Sequence, residues 1–211
     1  MSARPVLEAV LAARVAEAAE ALRRGGVGAY PTETFYGLGA LATDGAAVER
    51  LLAAKERPDG KPLPLLGASL AQLEAVASFS PLARRLAAAF WPGPLTLVLP
   101  ARPGLHPAIT GGGATVGVRV TSGGVAAALA RAAGGALVAT SANLAGRPAP
   151  TSAGLLDPAL RSRLDFVLDG GDTPGGLPST VVVVGEDRLS VLRAGAVPLE
   201  ALRVAAGVEV K

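Results

Sequence analysis

Short apolar runs alternate along this chain with longer stretches rich in Ala and Leu, and the spacing predicts the elements. Residues 5–24 read as a helix, with Pro5 suited to a first turn and Gly25-Gly26 as the stop. Residues 27–31 form a short apolar run with strand character, and residues 32–41 read as a polar, Gly-containing turn. Asp44 can cap a helix over residues 46–55 that places Val48, Leu51 and Leu52 on one face. Residues 63–66 read as a buried strand. Ser69 and Ser80 are placed to cap helices over 70–77 and 81–90, with Pro81 at the favoured first position. Strands are predicted over 95–100, 115–120, 136–140, 166–168, 180–184 and 189–192. Helical composition marks 123–133, ended by Gly134-Gly135, then a short segment at 155–164 and a last helix at 199–205. The two element types mix along the whole length with no linker and no internal repeat. The pattern predicts a single domain over residues 1–211, of the α/β class (α+β type) with a mixed sheet.

Composition narrows the function classes. Half of the 211 residues are apolar but only 3% are aromatic, so the core must be built from Ala, Val and Leu. The chain has no cysteine, which excludes disulfides, thiol catalysis and Cys-ligated zinc. The uncharged stretches are broken by Pro or Gly and fall short of the ~20 apolar residues a membrane span needs. Glu8, Glu17 and Glu20 interrupt the N-terminal apolar run, so it does not read as a secretory signal, and a cytoplasmic protein is expected. Net charge is +3, compatible with a nucleotide or RNA partner.

Positive charge is distributed unevenly. The three lysines are Lys55, Lys61 and Lys211, and the first two flank Arg57 between a predicted helix and a predicted strand. Three cations there read either as a polyanion site or as a solvated basic turn. Polar residues also collect where apolar strands end: Thr32, Glu33, Thr34 and Tyr36 after the first, Thr140, Ser141 and Asn143 after another, and Ser179 and Thr180 at the start of a third. Taken singly, each hydroxyl reads first as a local turn or cap. Asn143, the sole Asn, could be a left-handed turn residue or a ligand contact. Arg119 sits inside an apolar strand with no local acid, so it needs either a distant carboxylate or an anionic ligand. Arg193 ends another strand. Such residues could converge on one concave site at strand ends. The chain lacks a GxxxxGK[ST] phosphate loop, a GxGxxG fingerprint and a metal-ligand cluster. His106 beside Pro107 reads as loop packing, and Trp91 as a packing anchor at a helix-to-strand corner.

Seven motifs in order resemble those of one family. Residues 30–38 (YPTETFYGL) resemble PTDTxYGL; Lys55-Glu56-Arg57-Pro58 with Lys61-Pro62-Leu63 resembles KxRP…KPL; residues 90–96 (FWPGPLT) resemble WPGPLT. Val118-Arg119-Val120 resembles a VRxP strand, residues 140–146 (TSANLAG) resemble TSANxSG, Ser179-Thr180-Val181-Val182 resembles STVV, and Leu192-Arg193-Ala194-Gly195 resembles LRxG. The set spans residues 30–195 and is similar to the YrdC-like family, whose members include L-threonylcarbamoyladenylate synthases.

The resemblance implies one twisted mixed sheet flanked by helices around a basic concave cleft. It implies a nucleotidyltransferase reaction in which L-threonine, bicarbonate and ATP give threonylcarbamoyl-AMP and pyrophosphate. That product feeds threonylcarbamoyl modification of a tRNA adenosine next to the anticodon, completed by separate transfer proteins, with room for weak binding of tRNA itself. Lys55 and Arg57 are then the expected catalytic cations, and Lys55, Arg57, Lys61 and Arg193 face the triphosphate, with Ser141 and Asn143 also on the nucleotide. Arg119 is expected to clamp the threonine carboxylate, with Thr32, Tyr36, Thr140 and Ser179 around the amino acid. Mg2+ comes with ATP, keeps most of its waters and needs no dedicated protein site. The chemistry calls for alignment and charge neutralisation, which suits a site without Cys or His. Two departures stand out. Residues 64–67 (PLLG) lack a His that longer relatives carry after KPL, and Thr121 replaces the Pro of VRxP. The extra C-terminal domain of longer relatives is expected to be missing. The rival readings are a carbamoyl-AMP-forming enzyme like those of hydrogenase maturation, which a Cys-free chain disfavours, and a non-catalytic RNA-binding or ribosome-assembly module, which the scarcity of aromatics disfavours.

Overall fold

The computed structural model describes residues 3–56 and 60–210. The chain opens with helix α1 (Ala3–Arg23) and strands β1 (Gly28–Pro31) and β2 (Tyr36–Gly39), followed by α2 (Gly45–Lys55) and β3 (Leu65–Gly67). Helices α3 (Leu70–Glu74) and α4 (Pro81–Phe90) lead into β4 (Leu95–Pro100), α5 (Pro107–Thr110), β5 (Thr115–Val120) and α6 (Gly124–Ala133). Then come β6 (Leu137–Val138), β7 (Thr140–Ser141), α7 (Pro158–Arg161), β8 (Phe166–Val167), β9 (Thr180–Val184), β10 (Arg188–Arg193), α8 (Leu199–Ala206) and β11 (Glu209–Val210).

The helix starts follow from side-chain caps at orphan backbone N–H groups. Asp44 accepts from Ala47 N at 3.0 Å and Ser80 from Ala83 N at 3.1 Å. Gly134 ends α6 with φ 82°, a left-handed turn that a Cβ would oppose. His106 caps α5 through Nδ1, which accepts from Ala108 N. Trp91 ends α4, donates from Nε1 to the Leu95 carbonyl and meets Phe79 edge-on at 6.0 Å, the packing role expected for it.

The mixed α/β class holds, but the strands pair in two sheets rather than the one expected. One has the order β7-β2-β1-β8 and the other β11-β10-β9-β4-β5-β3-β6. Residues 136–140, read as one strand, are divided between them: Leu137 and Val138 pair antiparallel with β3, whereas Thr140 and Ser141 pair with β2. The 32–41 segment, read as a turn, contains β2, antiparallel to β1. Both sheets are mixed, since β1 also pairs parallel to β8 and β4 lies antiparallel to β5 but parallel to β9.

Two apolar clusters flank this arrangement. One gathers α1 and α6 against Tyr30, Leu66 and Leu137. The other packs α2, α4 and α8 against Leu38, Leu65, Leu97, Val118 and Val182. With few aromatics, Leu dominates the fully buried positions, joined by Tyr30 and Tyr36. At roughly 1.5–3 kcal/mol per buried Leu-sized side chain, these clusters are the main favourable term. Among the described residues no helix is long and apolar enough to cross a membrane.

Candidate functional site

A cleft of about 620 Å³ lies where the two sheets face each other. Its floor is one face of the larger sheet, and period-two alternation decides which residues reach it. On β5, Val116, Val118 and Val120 are buried in the core, and Thr115, Gly117 and Arg119 line the cleft. On β4, Leu95, Leu97 and Leu99 face the core, and Thr96 and Val98 the cleft. Gly117 keeps this floor low, since a Cβ there would stand 3.3 Å from Thr96 Cγ2. The opposite wall is the turn from Thr32 to Phe35, with Tyr36, Thr140 and Ser141 of the smaller sheet.

Arg119 is the centre of the charge pattern. Its side chain is 11% exposed and its Nη1 pairs with Oε1 of Glu33, whose side chain on the opposite wall is 13% exposed. The second carboxylate oxygen of Glu33 accepts from Thr121 Oγ1 at 2.6 Å, and that hydroxyl accepts from Gly123 N at 3.1 Å. Gly123 lets the turn approach, because a Cβ would sit 2.8 Å from Glu33 N. Burial pulls the Arg119 guanidinium down to about 10, with the charge of Arg193 pushing the same way, so it stays cationic at neutral pH. Arg119 therefore has the distant acid that a buried guanidinium requires. The sequence reading gave Glu33 no role. The available signal was a lone acid among hydroxyls directly after a buried strand, in a chain whose one strand-interior arginine needed a partner.

Arg193 reaches the cleft through a register shift in the β9–β10 pairing between Val191 and Arg193, an irregularity that re-aims a side chain. Its Nε and Nη2 grip the Ser179 carbonyl at 3.1 and 2.8 Å, and Nη2 lies 3.0 Å from Ser179 Oγ. Ser179 Oγ also meets Thr96 Oγ1 at 2.8 Å. The STVV-like and LRxG-like segments are one physical unit. Thr180 Oγ1 bonds both the N–H and the carbonyl of Val197, and a Cβ on Gly195 would collide with the Pro178 carbonyl.

The structure thus brings Thr32, Tyr36, Arg119, Thr140, Ser141, Ser179 and Arg193 to one cleft. Two of them spend their hydroxyls on backbone carbonyls. Thr32 Oγ1 donates to the Phe35 carbonyl at 2.7 Å and accepts from Thr34 N and Phe35 N, closing the turn. Tyr36 donates to the Gly171 carbonyl at 2.7 Å and so ties down the 169–178 segment. Asn143 lines a neighbouring cavity of about 280 Å³ with Arg147, Leu144 and Asp157, and Ala149 borders both cavities.

Lys55 occupies a different position from the one expected. It is 4% exposed and does not line the cleft. Its Nζ donates to the Ser141 carbonyl, to the Asn143 carbonyl at 2.9 Å and to Asn143 Oδ1 at 3.1 Å. Asn143 Nδ2 donates in turn to the Arg147 carbonyl. The lysine is thus the anchor under the 141–147 turn. Lys61 is exposed beside Pro62, which lines the cleft. Arg57 lies outside the described residues. Among the described residues no group of three or more His, Cys, Asp or Glu side chains could hold a metal ion.

The fold is that of a mixed α/β protein with a cleft between two sheets that carries the guanidinium groups of Arg119 and Arg193 beside the carboxylate of Glu33. Residues 20–195 match the Sua5/YciO/YrdC family model, described as "Telomere recombination", and the chain belongs to that family. Threonylcarbamoyl-AMP synthase of Pyrococcus abyssi is 41% identical over 90% of this chain and 56% of its own length. The Bacillus subtilis protein of the same name is 41% identical over 92% of this chain and 57% of its own length. The crystal structure of P. abyssi Sua5 complexed with L-threonine superposes with a TM-score of 0.86 at 41% identity, covering 93% of this chain and 58% of that one. The chain spans a little over half the length of these curated relatives.

Proposed function

We propose that this chain is an L-threonylcarbamoyl-AMP synthase. The amine of L-threonine takes up the carbon of bicarbonate with loss of water. An oxygen of the resulting carbamate then bonds to the α-phosphorus of ATP as the α–β bridging bond breaks and pyrophosphate leaves. The observation that carries the reading is the cleft of a family member, in which two guanidinium groups, Arg119 and Arg193, face one space offset, among the described residues, by the carboxylate of Glu33. That excess of positive charge suits a substrate carboxylate and phosphates.

In this reading Arg119 takes the threonine carboxylate, with Thr140 and Ser179 bordering the amino acid. Arg193, Arg57 and Lys61 meet the triphosphate. Ser141 on the larger cavity and Asn143 on the smaller meet the nucleotide, and the smaller cavity, with its Leu144, Pro148 and Leu155 faces beside Asn143 and Asp157, takes the nucleoside. Lys55 contributes through the 141–147 turn that it anchors. Mg2+ enters as part of the nucleotide, held by phosphates and water. The product would pass to separate proteins that modify tRNA, in the cytoplasm, and the chain would act as one domain.

The test is pyrophosphate release with ATP, Mg2+ and bicarbonate, with and without L-threonine. Release that depends on threonine is expected; release indifferent to threonine would refute the assignment.

A further inference from the structure

We propose that Glu33 is a positioning residue for amino-acid binding: it holds the Arg119 guanidinium by one edge so that the remaining N–H groups face the cleft and take the substrate carboxylate. This rests on the functional reading above and deepens it.

A guanidinium carries five N–H donors. Arg119 commits Nη1 to Glu33, and Nη2 and Nε have no hydrogen-bond partner among the described residues. Donors on a side chain 11% exposed, lining a cleft, are poorly solvated and await an acceptor. A planar guanidinium held at one corner presents its other edge in a fixed direction, the geometry a carboxylate meets with two parallel bonds.

Glu33 is itself held in place. Thr121 Oγ1 accepts from the Gly123 backbone, so its proton is directed at Glu33 Oε2, and both carboxylate oxygens act as acceptors. Thr121 does not line the cleft, yet it orients the residue that orients Arg119. The chain of contacts crosses from the larger sheet to the wall of the smaller one and back. The charges follow the same logic. Arg119 and Arg193 repel, and Glu33 offsets one of them without cancelling both.

Glu33 could instead compete with the substrate for Arg119, and kinetics separate the two. For Glu33→Gln, which keeps an acceptor for Thr121 but removes the charge, the threonine KM should rise roughly tenfold while kcat and the ATP KM stay within about twofold. Thr121→Val, of similar shape and outside the cleft, should raise the threonine KM in the same direction by about threefold. An unchanged threonine KM in Glu33→Gln, a fall in it, or a loss confined to kcat would each overturn the proposal. A second readout needs no turnover. In protein labelled with 15N-arginine, the Arg119 Nη1 and Nη2 signals should be distinct in the parent, because rotation about Nε–Cζ is blocked, and averaged in Glu33→Gln. Averaged signals in the parent would overturn the positioning role even where threonine-dependent release is seen. Distinct signals without threonine-dependent release would leave the positioning intact and refute the substrate instead.

Discussion

Lys55 illustrates what a single residue's surroundings change. Its charge and its place in a basic stretch pointed to phosphate, whereas its ammonium is buried and encircled by oxygens of Ser141 and Asn143. Substituting Lys55→Met should keep the apolar stem packed but leave those oxygens unsatisfied. A cost of about 2–3 kcal/mol is expected, seen as a lower denaturation midpoint with an unchanged slope. If the turn bears on the nucleotide as proposed, ATP affinity should fall more than threonine affinity. The need for an anionic partner at Arg119 was legible from the sequence, as a charge among valines. The partner, Glu33, was not, because the two are 86 positions apart and only the facing of the two sheets joins them.

At the scale of elements, the legible parts were those set by local chemistry. Strands 95–100 and 115–120 match β4 and β5, and the Asp44, Ser69 and Ser80 caps all accept from the third residue beyond. Period-two burial on β5 places Arg119 on the cleft face without further information. The misread parts were β2 and the 136–140 segment, where pairing partners come from elsewhere in the chain. Leu38 and Tyr36 are fully buried, yet Gly37 and Gly39 beside them carry no strand propensity. Gly39 is required for packing, because a Cβ there would collide with the ring of Tyr30. The β10 end offers the sharpest test. Gly195→Ala would press a methyl against the backbone of residues 178–180, which cannot yield as a flexible side chain could. A destabilisation of about 1–3 kcal/mol is expected, together with displacement of Arg193 and a raised ATP KM. Unchanged thermal unfolding would contradict this account of the motif.

At the scale of the molecule, Asp165 joins parts distant in sequence. Its Oδ2 accepts from Val27 N at 2.7 Å at the entry to β1, and both oxygens lie 3.0 Å from Arg50 Nη2 on α2. Burial opposes its ionisation, but the Val27 N–H and the Arg50 charge together hold it below the usual carboxylate range. A carboxyl depressed in the folded state adds stability above its unfolded value, near pH 4, and loses it as pH falls through the folded value. Asp165→Asn should therefore cost about 1 kcal/mol at neutral pH, a modest figure because the pair is partly exposed. That difference should close as pH drops below about 4; a gap that persists in acid would show that the charge is not the cause. The sequence alone determined most helices and the strands β4 and β5, through capping, periodicity and turn residues. It also carried the ordered motifs, because these act within a few residues of one another. Only the tertiary structure decided that the strands divide into two sheets, that Lys55 lies beneath a turn, and that Glu33 meets Arg119 across the cleft. Those outcomes depend on contacts between distant segments, whose energies exist only once the chain has closed upon itself.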